Sequence, residues 1–367
     1  MHSLSRAVVY LRPYWPIAVG AVVSLLLVTA ASLAIPLIIR WVIDSGITPG
    51  YMPVIVGGAL ALIVVAAVRG VFNFTQGFWS EKASQNVAFD VRNALFDKIQ
   101  SLSFSYHDRA QTGQLMTRLT SDVEMVRQFT GMGLFQFINA IIMILGSAVL
   151  MLWLNWRLAL IALATVPLML LLIGRFIRAV RPLFEQVQAR LGTLNTVLQE
   201  NLAGVRVVKA FAREPFEAGR FRTANQNYFE TNLQTVRAFA ANFPVIFLIF
   251  NLGTLAIVWF GGNMVMSEQL SLGELTAFLT YLNFMIFPMM MIGMLSAMVA
   301  RAAASARRIF EILDAQSEVV DRPGAAPLPP IRGQVAFEDV SFRYIGGERD
   351  TLSHVSFSAE PGQTVAI

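Results

Sequence analysis

The chain of 367 residues contains no cysteine and only three histidines. The first absence excludes a disulfide framework and any thiolate metal or redox centre, and three scattered histidines assemble no ligand set. No metal site is expected. Charge is scarce too: Asp, Glu, Lys and Arg make up 14% of the chain against 56% apolar residues, a balance too apolar for an ordinary soluble enzyme. Residues 1–15 lack the short apolar core and small-residue cleavage site of a secretory signal. Acidic residues are missing from the interiors of the long apolar runs, which argues against a proton or cation relay across a membrane.

What is present is a series of such runs, at 17–39, 53–72, 132–154, 158–177, 243–266 and 275–298. Each suffices to cross a hydrocarbon core of ~30 Å as a helix. The connections are short after the first, third and fifth runs and long after the second and fourth, so both long segments, 81–131 and 178–242, lie on one side. They carry Lys82, Arg92, Lys98, Arg109, Arg118, Arg127 and the basic residues from Arg178 to Arg237, whereas the short connections hold only Arg40 and Arg157. The positive-inside rule then places the long segments and both termini in the cytoplasm, in the manner of a bacterial inner-membrane protein. The net charge of +5 reads as this topology signal, and no nucleic-acid partner is expected. At the N-terminus Leu4, Val8, Leu11 and Trp15 share one helical face, predicting an elbow helix over 1–16 lying at the membrane surface.

Neither long segment reads as loose loop. Val87, Val91, Leu95, Phe96 and Ile99 recur at helical spacing without proline or glycine, so the second span is predicted to run on as one helix to about Ser101. The chain turns back at 106–113, and beyond the turn Ser121 with Glu124 suggests a capping box opening the return helix. The second segment goes out through 186–201, turns near 204–215 and returns through 221–237. The fold class is therefore an all-α polytopic membrane domain over 17–314, six transmembrane helices with long cytoplasmic extensions. A proline-rich linker follows at 315–332, with Pro323, Pro327, Pro329 and Pro330. Over 333–367 the β-type residues of VAFEDVSFRY and LSHVSFSAEPGQTVAI open an incomplete, β-rich start of a soluble domain.

Four segments carry a family resemblance: Ile35-Pro36 leading to Val42-Ile43-Asp44-Ser45-Gly46, then FSYHDRAQTGQLMTRLTSDVEMV at 104–126, ENLAGVRVVKAFAREPFEAGRF at 200–221 and SARRIFEILD at 305–314. In order and spacing the chain resembles the half-transporter form of the ATP-binding-cassette exporters. That resemblance implies ATP and magnesium as cofactors of the intact protein, nucleotide-binding domains and a second transmembrane half as partners, and the lipid membrane as setting. It implies coupling helices near 108–119 and 208–217, with Asp108, Arg109, Leu115, Met116, Arg118, Lys209, Phe211, Arg213 and Glu214 as docking residues. It implies that Tyr344 stacks on adenine and that the stub at 333–367 opens an α/β nucleotide-binding domain. No GxxxxGK[ST] occurs, so this stretch is expected to hydrolyse no ATP alone and to be a fragment of a longer protein.

Tyr281, Asn283, Phe284, Met285 and Pro288 in the sixth span, with Met289 to Met291, Met294 and Met298 nearby, suit a path for a hydrophobic or amphipathic drug, lipid or peptide, or equally helix packing. The amides of Asn73, Asn139, Asn251 and Asn283 have the same two readings, and Arg69 can snorkel or pair. An ion-gradient carrier, or a permease-like remnant serving as a binding subunit, is the alternative function.

Overall fold

The computed structural model describes residues 2–317, 319–320, 324–327, 329–344 and 349–366. Pro323 and Ile367, and the side chains of Arg109 and Met294, lie outside these residues. The chain divides into two units, Met1–Gln316 and Ser317–Ile367.

In the first unit the apolar runs fold as predicted, into six helices long and apolar enough to cross a membrane: Ser3–Ile47, Met52–Ser101, Thr112–Leu154, Trp156–Ala203, Glu214–Met266 and Leu272–Leu313. This makes the chain an integral multi-pass membrane protein. The first comprises α1 (His2–Val9), a 3-10 turn at Arg12–Tyr14, α2 (Trp15–Val42) and a π-helical turn at Ile43–Ile47. The second is one helix, α3 (Met52–Ser101), of 50 residues and about 75 Å. Its two halves obey different rules. Toward the N-terminus Gly58 is the one buried position, whereas from Ser80 onward Ser84, Val87, Val91, Leu95 and Ile99 form a buried stripe at helical spacing.

A short helix, α4 (Phe104–Arg109), and a break at Ala110 and Gln111 turn the chain. The return rod consists of α5 (Thr112–Thr117), α6 (Val123–Gln128) and α7 (Leu134–Leu154), joined by π turns at Arg118–Asp122 and Phe129–Gly133. Ser121 therefore lies inside continuous helix and caps nothing, which corrects the expected capping box. A capping hydroxyl needs free backbone N–H groups, and a helix has those only at its first turn. The capping box that forms is Ser271 with Glu274, at the start of α13 (Leu272–Leu313).

The fourth crossing is split into α8 (Trp156–Leu163), capped by Asn155, and α9 (Thr165–Ala203). The break precedes Pro167, which offers no N–H to the carbonyl of Leu163. Beyond Gly204 and α10 (Val205–Ala210), α11 (Glu214–Ala256) returns and continues through a π turn into α12 (Gly262–Met266). Pro36, Pro182, Pro244 and Pro288 sit inside helices that carry on past them.

Packing is uneven. One core joins α1, the far half of α3, α6 and the end of α13 around Val87, Leu95, Val126, Ile309 and Phe310. A second joins α7, α8, α9, α11 and α13 around Met151, Leu158, Ile257, Phe278 and Tyr281. Beyond that second core, the arm formed by the far parts of α9 and α11 packs chiefly on itself. Phe176, Phe184, Phe239 and Phe243 interlock it edge-to-face and stacked at 5.0–6.2 Å. The elbow expectation needs correction as well. Leu4 and Ala7 are buried in the first core against α13, and exposed Trp15 already opens α2. Val8 and Leu11 pack on that same core, Leu11 from beyond the helix end at Val9, and only Trp15 leaves the shared side.

In the second unit, β1 (Val335–Phe342) and β2 (Leu352–Ala359) pair antiparallel, with Val335 opposite Ala359 and Phe337 opposite Phe357. The phenyl rings of that last pair stack at 4.6 Å. Asp339 and His354 adopt positive φ at the irregular positions, where hydroxyls of Ser356 and Ser341 accept their N–H groups. Two strands alone are marginal as an independent sheet.

Candidate functional site

The arm tips are the segments that the sequence singles out. At the first tip Asp108 is exposed near the end of α4, and Met116 is 57% exposed on α5. Leu115 instead packs toward the core, and Arg118 reaches Asp122 at 3.6 Å. Residues 108–119 are thus two helical pieces around a break rather than one helix. At the second tip the short helix is α10, placed before most of 208–217. Phe211 and Ala212 follow it as a turn, Ala212 at φ 49°, and Arg213 occupies the N-cap of α11. Lys209 donates to Glu214 at 2.8 Å. Phe211 is 74% exposed, and with Val207, Val208, Arg213, Phe216 and Glu217 it borders an open groove of about 400 Å³. An apolar floor with ions at its edge is the pattern of a small docking face.

Behind the first tip lies a cluster that sequence reasoning missed. Asp122, 3% exposed, accepts from Arg308 Nε at 2.8 Å, from Arg308 Nη2 and from Ser305 Oγ at 2.8 Å. Burial pushes its carboxyl up, but the bonds from Arg308 and Ser305 and the charges of Arg308 and Arg118 outweigh this and hold it below its ordinary value. The last turns of α13 are thereby fastened to the rod returning from the tip. Arg6 completes the junction from α1, donating to Asp314 at 2.8 Å while lying over the Phe310 ring.

Two residues further along the rod, Glu124 accepts from Arg127, which also reaches Glu81 on α3. The Arg127 bonds, opposed by burial and assisted by Gln128 and by the charges of Arg127 and Arg92, bring Glu124 down from 4.5 to about 2. A depressed carboxylate stabilises the fold above its unfolded pKa and loses that contribution as pH falls through the folded value. The melting-temperature difference between wild type and Glu124→Gln, followed by circular dichroism, is therefore expected to be full at pH 6 and to shrink between pH 4.5 and about 2. A difference independent of pH would contradict an ionised Glu124.

At the opposite end of the bundle, the Val42-Ile43-Asp44-Ser45-Gly46 motif meets the start of α13. Asp44 accepts from Ser271 Oγ at 2.6 Å and from Gly273 N at 2.8 Å. Arg40 pairs with Glu274 at 2.8 Å and approaches Asp44 at 3.7 Å. Around this end Trp41, Tyr51, Trp153, Trp156 and Trp259 are all exposed, as a membrane–water belt of aromatics requires.

The sixth helix divides between the two readings. Tyr281 is 0% exposed and donates to the Leu33 carbonyl at 2.8 Å, three residues before Pro36. Met285 and Pro288 are buried beside it and Phe284 is half-buried, so these four belong to the protomer's own core. Asn283 is exposed together with Phe287, whereas half-buried Met290 packs against the second core. Which face of the helix packs depends on partners distant in sequence, Leu33 among them. Asn139 accepts from Thr29 and Asn283 bonds back to Leu279. Arg69 Nε is buried without a hydrogen-bond partner among the described residues. In the second unit Tyr344 is 62% exposed, its ring edge-on to Phe342 at 5.0 Å.

Comparison with known proteins fits this geometry. The family model for the ABC transporter transmembrane region matches residues 19–289. The chain is 32% identical to the ABC transporter ATP-binding protein YknU of Bacillus subtilis (strain 168), over 100% of this chain and 63% of that protein. It is 28% identical to an ATP-dependent lipid A-core flippase of Thiobacillus denitrificans, with the same two coverages, and 29% identical to one of Desulfotalea psychrophila over 84% of this chain and 54% of that protein. The chain thus spans less than two thirds of the length of these relatives.

Proposed function

The chain belongs to the ABC transporter transmembrane-region family, and from that premise we propose that it is one half of an ATP-driven exporter moving an amphipathic substrate out of the cytoplasm by alternating access. The observation that carries this reading is the pair of helical arms on one side of the bundle, each ending in bare apolar side chains beside charged ones, Met116 at one tip and Phe211 at the other. Such tips suit docking on nucleotide-binding domains, which would use ATP and magnesium. The basic residues of the arms support a cytoplasmic location for that side. Tyr344, flat and exposed, is the platform for adenine.

The partner is a second transmembrane half, identical or related. The arm of α9 and α11 leaves Leu198, Leu202, Phe229 and Val236 exposed along its length, more apolar surface than a two-helix hairpin in water sustains uncovered. Closing of the nucleotide-binding domains would draw the tips together and turn the bundle outward. The open face of Asn283 and Phe287 is the substrate path. Relatives named lipid A-core flippases support a lipid-like cargo.

The test is ATP-dependent movement of a fluorescent anionic phospholipid by the full-length gene product in liposomes. Movement that needs ATP and stops with Phe211→Asp supports the reading. Movement driven by an ion gradient without ATP overturns it, and ATP hydrolysis indifferent to every amphiphile overturns the cargo.

A further inference from the structure

The ligation of Asp44 explains a motif that the exporter reading leaves idle. Two polar ties join α2 to α13, and they differ in kind. The deeper is Tyr281 to Leu33, a hydroxyl on a backbone carbonyl within a packed core. The shallower, at the end away from the arms, is the cluster of Asp44, Ser271, Gly273, Arg40 and Glu274, half-buried and made of charges and helix-start N–H groups that water can replace. Between the two ties stands Pro36, which removes one backbone hydrogen bond and gives α2 a place to bend. The outer tie also depends on close approach. A Cβ on Gly273 would lie 2.5 Å from the Arg40 carbonyl oxygen and 2.6 Å from Asp44 Oδ1.

We propose that this cluster is the latch of the outer gate: Asp44 holds the end of α2 on the first turn of α13, and outward opening breaks that hold by swinging residues 37–47 about Pro36 while the packed core around Leu33 and Tyr281 holds the deeper part of α2. The proposal rests on the exporter reading. Asp44 suits the role because its carboxylate takes two donors at the first turn of α13, where the helix dipole favours a negative charge, yet water competes for it as soon as the helices part. Arg40 and Glu274 set the register, each bridging the same two helices.

The 367 residues hold no cysteine, so in the full-length protein, with any cysteine outside them replaced by serine, the pair Asp44→Cys and Ser271→Cys sets two thiols where the native side chains meet at 2.6 Å. In liposomes containing the full-length protein, the oxidised pair is expected to lose ATP-driven movement of anionic phospholipid at least tenfold and to regain it on reduction. Oxidised protein that moves lipid at the reduced rate overturns the latch. Wild-type protein with no ATP-driven movement overturns the exporter reading, and the latch falls with it. Should the pair fail to fold or stay inactive when reduced, a single Ser271→Cys is labelled by an impermeant maleimide. Labelling that quickens severalfold on ATP addition supports the latch, and an unchanged rate overturns it.

Discussion

Asp122→Ala is expected to lower the melting temperature of the detergent-solubilised protein by roughly 5 °C, followed by circular dichroism because no cysteine is present for a thiol dye. Removing one member of a buried pair strands the other, at about 3–5 kcal/mol where both are enclosed. Arg308 is 42% exposed at its side chain, so water recovers part of the loss and about 2 kcal/mol remains. Arg118 and Ser305 lose the same partner. Asp122→Leu with Arg308→Met removes both charges and is expected to recover most of the stability. A double variant no better than the single would mean that the site needs its volume, not its charge. In the full-length protein Asp122→Ala should also weaken the dependence of ATP hydrolysis on lipid, because the fastening between α13 and the rod from the first tip is gone.

Tyr281→Ala opens a large cavity in a fully packed site and is expected to cost about 3–5 kcal/mol, enough to abolish a folded preparation. Tyr281→Phe removes only the bond to Leu33, about 1 kcal/mol. Lipid movement with Tyr281→Phe is expected to match wild type within twofold, whereas Phe287→Ala on the open face should change which lipids are moved. The two substitutions separate core from path. A Tyr281→Phe protein of unchanged melting temperature that moves nothing would return the hydroxyl to the path.

How far the sequence could be read depends on the range of the interaction concerned. The spans and the unbroken α3 were legible because burial in a membrane or on an arm imprints a local pattern, continuous apolar or periodic at 3.6 residues. The capping box was legible in form but ambiguous in place, since Ser121 with Glu124 and Ser271 with Glu274 show the same spacing and only the second begins a helix. The break before Pro167 was open to inspection and went unread. Asp122 and Arg308 were not foreseeable, being 186 positions apart, although an arginine four residues before the aspartate was a hint of a charged site. For the sixth helix the period revealed two faces, and the choice between them belonged to Leu33 and the rest of the second core.

The tryptophans are distributed in a way that has an optical consequence. The six stand at 15, 41, 79, 153, 156 and 259, so neither arm contains one. Trp79 lies over Gly20 within the bundle, while Trp41, Trp153, Trp156 and Trp259 ring the end away from the arms. Intrinsic emission is therefore blind to the arms and weighted toward the lipid boundary at the far face. Quenching by bromine atoms at chosen depths along the acyl chains would read the rise and tilt of that face in unlabelled protein, and the neighbouring Asp44 cluster would carry its own native reporter.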